Sequence, residues 1–151
     1  GDEDRWNART EALLFAAARA DHVSKLIMPA LERGQWVLCD RFIDSTRAYQ
    51  GGAGGVSDDD IMTLHNVGSK GLLPDRTFLL CLNVEEGAAR TRARDAEIDR
   101  MGARDTAFYD RVDARFKEIA VADRERFRIV DASGVVEDVT QRLTVAIEDL
   151  V

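Results

Sequence analysis

Short apolar runs alternate along the chain with longer stretches in which apolar positions recur at helical spacing. Three runs are rich in β-favouring residues and lack the strict alternation of a half-exposed strand: 36–40, 77–83 and 127–131. The longer stretches predict helices at 9–33, 44–50, 58–70, 85–95, 105–125 and 135–149. Strands separated by helices are typical of a parallel sheet with crossover connections. We therefore predict an α/β fold in which helices cover both faces of a parallel sheet with three visible strands.

The composition fits one globular domain spanning residues 1–151. The chain is 45% hydrophobic and has only two prolines, so it can bury a core without metal or disulfide support. Its two cysteines, Cys39 and Cys81, lie in apolar runs. Because zinc sites need paired Cys or His spacings, we expect reduced core residues here rather than metal ligands.

Charge and hydropathy exclude several classes of partner. A net charge of −7 opposes sequence-independent binding to nucleic-acid phosphates. No apolar run reaches the ~20 residues that a membrane span needs, and the acidic N-terminus is unlike a signal peptide. We therefore expect a cytoplasmic protein without nucleic-acid or membrane partners. The net charge does not exclude a small ligand that carries a phosphate group.

The densest chemistry follows the run at 36–40. This run ends in Asp40 and Arg41, which places both charges at the carboxyl edge of the predicted sheet, where open α/β folds bind ligands. An Asp at this edge can bind the water molecules around Mg²⁺, and an Arg can form two hydrogen bonds to a phosphate. A simple ion pair between Asp40 and Arg41 explains the two residues equally well. Four polar side chains offer donors and acceptors to a base or sugar within the next two helical turns: Ser45, Thr46, Tyr49 and Gln50.

Three further patches carry weaker signals. Phe15 and Arg19 are four residues apart and so share one helix face, although Phe15 also suits a core position. Five arginines occur within 90–104 of an otherwise acidic chain, a pattern that usually marks a solvated helix face. The strand at 127–131 leads into Asp131 and Ser133, either of which is a plausible helix N-cap.

Together these patches resemble the thymidylate kinases of bacteria. The motif Asp-Arg-Phe-x-x-Ser-Thr-x-Ala-Tyr-Gln-Gly at 40–51 is similar to a family signature. The stretch 13–22 resembles the helix that carries the family's thymine-stacking Phe and base-contacting Arg. The arginines of 90–104 resemble its mobile lid, and 128–139 resembles its final strand and the loop near adenine. The four matches occur in the family's chain order.

The resemblance implies a kinase with a P-loop NTPase-like sheet that uses ATP and Mg²⁺ to convert dTMP to dTDP, in a homodimer. For dTMP it implies stacking by Phe15, base contacts from Arg19, phosphate binding by Arg41, and a base and sugar pocket lined by Ser45, Thr46, Tyr49 and Gln50. For catalysis it implies charge stabilisation by Arg100 and Arg94, and support of Mg²⁺ by Asp40 through water. For ATP it implies contacts from Arg92 and Ser133. Gly102 departs from the family's lid pattern, which commonly has Glu at that place.

The resemblance implies that the first strands of the family's sheet and its P-loop have no counterpart in the chain. The family begins with a P-loop of the G-x-x-x-x-G-K-[ST] type, whereas the glycines at 51–55 lack the Lys-Ser/Thr ending and follow a predicted helix. The resemblance thus implies the C-terminal three-quarters of a domain of about 200 residues, with a lid at about 90–104. Two alternatives stay open: a deoxynucleoside kinase, which phosphorylates the sugar 5′-hydroxyl, and a non-catalytic fragment that does not bind ATP.

Overall fold

The computed structural model describes residues 6–82 and 106–151. The chain forms two compact units. Of the described residues, 6–73 and Thr106–Phe116 form the first unit, and 74–82 and Lys117–Val151 form the second. None of the described helices combines the length and the apolar character needed to cross a bilayer. The prediction that 1–151 forms a single domain stays a prediction.

The first unit is helical. Its elements in chain order are α1 (Ala8–His22), a π-helical turn (Val23–Ile27), α2 (Met28–Glu32), α3 (Ile43–Thr46), a second π-helical turn (Arg47–Ala53) and α4 (Asp58–Ser69). Asn7 caps α1, because its side chain accepts a hydrogen bond from the Thr10 amide at 2.9 Å. The first π-helical turn ends just before Pro29, which cannot donate the backbone hydrogen bond of a regular helix.

The strand predicted at 36–40 is wrong for the described structure. Residues 35–39 have extended or irregular backbone that pairs with no other described segment, and Leu38 is 93% exposed. A β-favouring run becomes a strand only when a neighbouring strand supplies the ladder of hydrogen bonds. The described residues supply no such neighbour to this run. Its exposure also corrects the expectation for Cys39, which is exposed rather than part of a core.

The second unit contains a two-stranded parallel sheet. Strand β1 (Thr77–Cys81) pairs in parallel with β2 (Phe127–Asp131), so that Thr77 lies opposite Phe127. Helix α5 (Thr106–Ala122) precedes β2, and its residues up to Phe116 belong to the first unit. Helix α6 (Val136–Val145) and a 3₁₀ turn (Glu148–Leu150) follow β2. These parallel strands and their α/β connection were predicted from the sequence, and the predicted helix at 85–95 lies outside the described residues.

The core of the second unit lies where α5 meets the sheet. Ile119 and Ala120 of α5 pack with Phe127, and Leu79 of β1 packs against this cluster. Leu80 and Ile129 are each more than half exposed. We predicted that helices cover both faces of these strands. Within the described residues this holds only in part, because Leu80 and Ile129 stay exposed.

Candidate functional site

Arg19 and Thr46 meet inside the first unit. Arg19 projects from α1, is only 9% exposed, and donates a hydrogen bond from Nη2 to the Thr46 hydroxyl. Its guanidinium also lies 5.6 Å from the centre of the Phe42 ring. The two predicted base-contacting residues are 27 positions apart in sequence. The fold therefore brings together two members of the predicted thymine pocket.

Burial changes the electrostatics of Arg19. Removal from water lowers the pKa of the Arg19 guanidinium, while the nearby Asp44 carboxylate and then Cys39 raise it. A guanidinium has so high an ordinary pKa that it stays charged at neutral pH. Arg19 is thus a buried, fixed cation, and a buried cation is stabilised by a ligand oxygen that accepts its remaining hydrogen bonds.

Phe15 lies one helical turn before Arg19 and is 51% exposed. A core aromatic residue would be covered by neighbouring side chains, so the structure does not support the core alternative for this position. The half-exposed ring offers a flat face to a planar ligand next to the Arg19 charge.

Gln50 and Glu11 form a second polar contact between the same two segments. Gln50 is buried and donates from Nε2 to the Glu11 carboxylate at 3.0 Å. Glu11, Phe15 and Arg19 recur every four residues along α1, and Thr46 and Gln50 are also four apart. The two contacts, Glu11 to Gln50 and Arg19 to Thr46, therefore bracket the position of Phe15. Ser45, the residue before Thr46, is half-buried.

Asp40 and Arg41 lie at the surface immediately before α3. Arg41 has a left-handed backbone with φ of 64°, and its guanidinium lies 5.2 Å from the centre of the Tyr49 ring. Among the described contacts no ion pair joins Asp40 to Arg41. The Arg41 charge instead has the Tyr49 ring as its described neighbour, a cation–π contact. The Cys39 thiol donates to the Arg41 carbonyl at 3.3 Å. Although Cys39 as a residue is exposed, partial removal of the thiol from water, followed by the Asp40 charge, raises the pKa of Cys39.

An ion-pair network that the motif analysis missed holds this segment in place. Arg47 contacts Asp58 through two hydrogen bonds of 2.9 and 2.7 Å and contacts Asp44 at 3.2 Å. Arg115 of α5 reaches Asp58 at 3.1 Å. These hydrogen bonds lower the pKa of Asp58 and raise that of Arg47. The spacing of Asp44 and Arg47 by three helical positions is the signal in the sequence that could have revealed part of it.

His65 is the second residue that motif reasoning missed. It is fully buried on α4, donates from Nε2 to the Leu72 carbonyl at 2.8 Å, and contacts the Phe42 ring edge-on with centres 5.7 Å apart. Because a carbonyl only accepts, the ring proton must sit on Nε2. Burial lowers the pKa of His65, and the Arg19 charge lowers it further. The hydrogen bond to Leu72 and the Asp44 charge raise the pKa, but the net effect is a lower value.

The buried His65 predicts a loss of stability on acidification. The unfolded chain binds a proton near the ordinary histidine pKa of about 6.5, whereas the folded chain resists it. The free energy of unfolding should therefore fall from about pH 7 to pH 5, with this residue supplying up to about 1.4 kcal/mol per pH unit. Urea unfolding across this range measures the slope.

His65→Gln and His22→Gln make a matched pair for this measurement. In the first variant the introduced glutamine amide can still donate to the Leu72 carbonyl but takes up no proton, so the slope should become smaller. His22→Gln makes the same substitution at an exposed residue of α1 and controls for the effect of the replacement itself on the free energy of unfolding. Equal slopes in His65→Gln and wild type would contradict the prediction.

The predicted ATP contacts lie in the second unit or outside the described residues. Ser133 is in the second unit, where its amide donates to Asp131 Oδ1 at 2.9 Å, and Arg142 donates to the carbonyls of both residues at 2.8 Å. These bonds order the loop after β2, and the N-cap of α6 is Val135, so the N-cap alternative for Asp131 and Ser133 is wrong. Arg92, Arg94 and Arg100 lie outside the described residues.

The chain matches a known family over nearly its whole length. A family profile described as Thymidylate kinase matches residues 2–143. The chain belongs to the thymidylate kinase family. Members of this family are nucleoside monophosphate kinases with a P-loop NTPase fold, and their reaction is the phosphorylation of dTMP by ATP. The α/β fold class and the family predicted from the sequence are thereby confirmed.

Three thymidylate kinases illustrate the similarity. The one from Rhizorhabdus wittichii is 55% identical over 99% of this chain and 73% of its own length. The thymidylate kinase from Thermomicrobium roseum is 50% identical over 82% of this chain and 59% of its own length. The one from Alcanivorax borkumensis is 44% identical over 93% of this chain and 67% of its own length. The chain thus spans between 59 and 73% of the length of these thymidylate kinases.

The Mg²⁺ that the family resemblance implies has one suitable donor among the described candidate residues. Asp40 has an exposed carboxylate at the edge of the site, and hard carboxylate oxygens suit Mg²⁺. No group of three metal-ligating side chains occurs in the described ranges. This donor set fits an ion that keeps most of its waters and is bound mainly through substrate phosphates.

Proposed function

We propose that the protein transfers the γ-phosphoryl group of ATP to dTMP, giving dTDP and ADP, and that the first unit binds dTMP. The observation that carries this proposal is the buried Arg19, fixed by Thr46 one helical turn from the half-exposed Phe15. A fixed cation beside an open aromatic face suits a planar ligand with a carbonyl edge. Family membership supplies the reaction to which this pocket belongs.

The base would stack on Phe15 and accept a hydrogen bond from Arg19 at a ring carbonyl. Ser45, Thr46, Tyr49 and Gln50 would line the remainder of the base and sugar pocket, and Thr46 also holds the Arg19 guanidinium. Because this cation is positioned before the ligand arrives, little ordering is needed on binding. The ring centres of Phe108 and Phe116 each lie 6.2 Å from that of Tyr49, so Tyr49 packs among aromatic rings.

The acceptor phosphate would bind Arg41. Its left-handed backbone and the Tyr49 ring hold an exposed guanidinium just beyond Asp40. A guanidinium can donate two parallel hydrogen bonds to a phosphate and so orient the attacking oxygen. Asp40 would contact the water shell of Mg²⁺, and the ion, when bound, neutralises charge on the transferring phosphates.

Arginines of the predicted lid would act on the donor side. Arg94 and Arg100 would stabilise the charge on the γ-phosphoryl as its bond to the β-phosphate breaks and its bond to the dTMP phosphate forms. Arg92 and Ser133 would lie near adenine. We also propose a homodimer in the cytoplasm without nucleic-acid partners, supported by exposed apolar residues of α1 such as Leu13 and Leu14 and by the net charge of −7.

The substrate is tested by an ADP-release assay on the full-length protein with dTMP, dUMP, dCMP and thymidine. We expect turnover with dTMP and little with dCMP, because Arg19 can donate to a 4-carbonyl but not to a 4-amino group, and none with thymidine, which lacks the acceptor phosphate. Calorimetric binding of dTMP and ATP to the 151-residue chain complements this assay, and ATP should bind weakly because the chain contains no P-loop motif.

Each alternative has its own signature in these measurements. Phosphorylation of thymidine but not of dTMP would identify a deoxynucleoside kinase and contradict the proposal. Absence of turnover in the full-length protein, with dTMP bound weakly or not at all, would favour a non-catalytic role. Tight ATP binding by the 151-residue chain would overturn the expectation about the P-loop.

A further inference from the structure

Glu11 has no role in the proposed chemistry, yet it holds one of the residues that do. Gln50 is 5% exposed, and its Nε2 donates to Glu11 Oε2 at 3.0 Å. Glu11 is itself half-buried in the first turn of α1. This contact joins the start of α1 to the π-helical turn Arg47–Ala53. Gly54, the residue after that turn, lies close to Ala8 at the start of α1.

The chemistry of the pair decides how the Gln50 carboxamide is oriented. A glutamate carboxylate at neutral pH has acceptor oxygens and no donor. Only the amino end of the Gln50 amide can therefore face Glu11, which directs the carbonyl oxygen Oε1 elsewhere. Within the described residues no hydrogen bond reaches that oxygen. A buried amide with its donor end fixed and its acceptor end available is suited to a ligand N–H group.

Arg19 supplies the complementary half of this arrangement. Its guanidinium donates and cannot accept, and it stands two helical turns from Glu11 on the same face of α1. One acceptor, Gln50 Oε1, and one donor, Arg19, match a pyrimidine that presents a ring N3–H beside a 4-carbonyl. Cytosine presents the reverse pattern, with an acceptor at N3 and an amino group at C4.

We propose that Glu11 is a positioning residue that makes the pocket select a 4-oxo pyrimidine over a 4-amino pyrimidine by fixing the orientation of the Gln50 amide. This inference rests on the proposed binding of dTMP in the first unit. Glu11 itself does not touch the base; it acts through Gln50. Sequence motifs do not reveal this role because Glu11 and Gln50 are 39 positions apart.

The test compares dTMP with 5-methyl-dCMP, which keeps the methyl group, sugar and phosphate and changes only the N3 and C4 pattern. Calorimetry gives both dissociation constants for wild type, Glu11→Gln and Glu11→Lys. Glutamine can donate or accept, so it permits both orientations of the Gln50 amide; lysine only donates and so favours the reversed one. We expect the preference for dTMP to fall in the order wild type, Glu11→Gln, Glu11→Lys, by about tenfold over the series.

Two controls separate positioning from structural support. Glu32→Lys makes the same charge change at an exposed residue of α2 and should leave the preference unchanged. Gln50→Met removes the amide, so adding Glu11→Lys to it should no longer alter the preference. Thermal unfolding of each variant shows that it is folded.

Three results would overturn the inference. Equal loss of affinity for both nucleotides in the Glu11 variants would make Glu11 only a structural residue. A change of preference that persists in the Gln50→Met background would mean that Glu11 acts without Gln50. Failure of the wild type to prefer dTMP over 5-methyl-dCMP would instead refute the proposed function, and with it this inference.

Discussion

We expect Arg19→Met to bind dTMP about 100-fold more weakly than the wild type. The variant loses the hydrogen bonds of a charged donor, each worth about 1.5–3 kcal/mol, and about 2.7 kcal/mol corresponds to a 100-fold change in dissociation constant. Methionine keeps the unbranched aliphatic part of the arginine side chain and adapts to irregular apolar space, which limits the effect on packing. Isothermal titration calorimetry with dTMP measures the change.

Arg9→Met is the matched control for this prediction. It makes the same substitution in the same helix, at a residue whose side chain is 76% exposed and whose ion pair with Asp60 is 3.5 Å long. Exposed pairs of this kind contribute little to stability, so dTMP affinity should match the wild type. A folded Arg19→Met variant with wild-type affinity for dTMP would refute the assignment of Arg19 to the base site.

The largest expected effect on stability comes from Ile61→Ala. Ile61 is 1% exposed on α4, and its Cδ1 lies 3.1 Å from where a Cβ on Gly51 would stand, so it packs closely against the segment that carries Gln50. Truncation of a buried isoleucine removes apolar contacts and leaves a cavity, at a cost of about 2–5 kcal/mol. Urea unfolding should show a lower midpoint with an unchanged slope.

Val67→Ala provides the comparison within the same helix. Val67 is 81% exposed, so its truncation should change the free energy of unfolding by no more than about 0.5 kcal/mol. If Ile61→Ala and Val67→Ala had similar effects, α4 would not pack against the Arg47–Ala53 turn in the way described.

Local sequence signals were sufficient for most helices and for two strands. The predicted strand at 127–131 agrees with Phe127–Asp131, and the predicted helix at 58–70 agrees with Asp58–Ser69. Ser57 caps that helix by accepting from the Asp60 amide at 3.1 Å. Such elements depend on periodicity, caps and propensity, which are properties of neighbouring residues.

The wrong prediction of a strand at 36–40 shows what a local sequence pattern does not predict. Its residues have strand propensity, but pairing depends on a second segment that a local pattern does not contain. Two other features could not be predicted locally for the same reason: the burial of His65, and the ion pairs of Asp58 with Arg47 and Arg115. Each depends on residues from other elements, so neither a motif nor a hydrophobic period predicts it.

The sequence by itself determined the family, the α/β class and the identity of most candidate pocket residues, because these depend on which side chains occur and at what spacing. Only the tertiary structure decided how those side chains are held: Arg19 against Thr46, Gln50 against Glu11, and Phe15 left half-exposed between the two contacts. The physical reason is that hydrogen bonding and burial depend on distances between segments remote in sequence. Those distances exist only once the helices have packed.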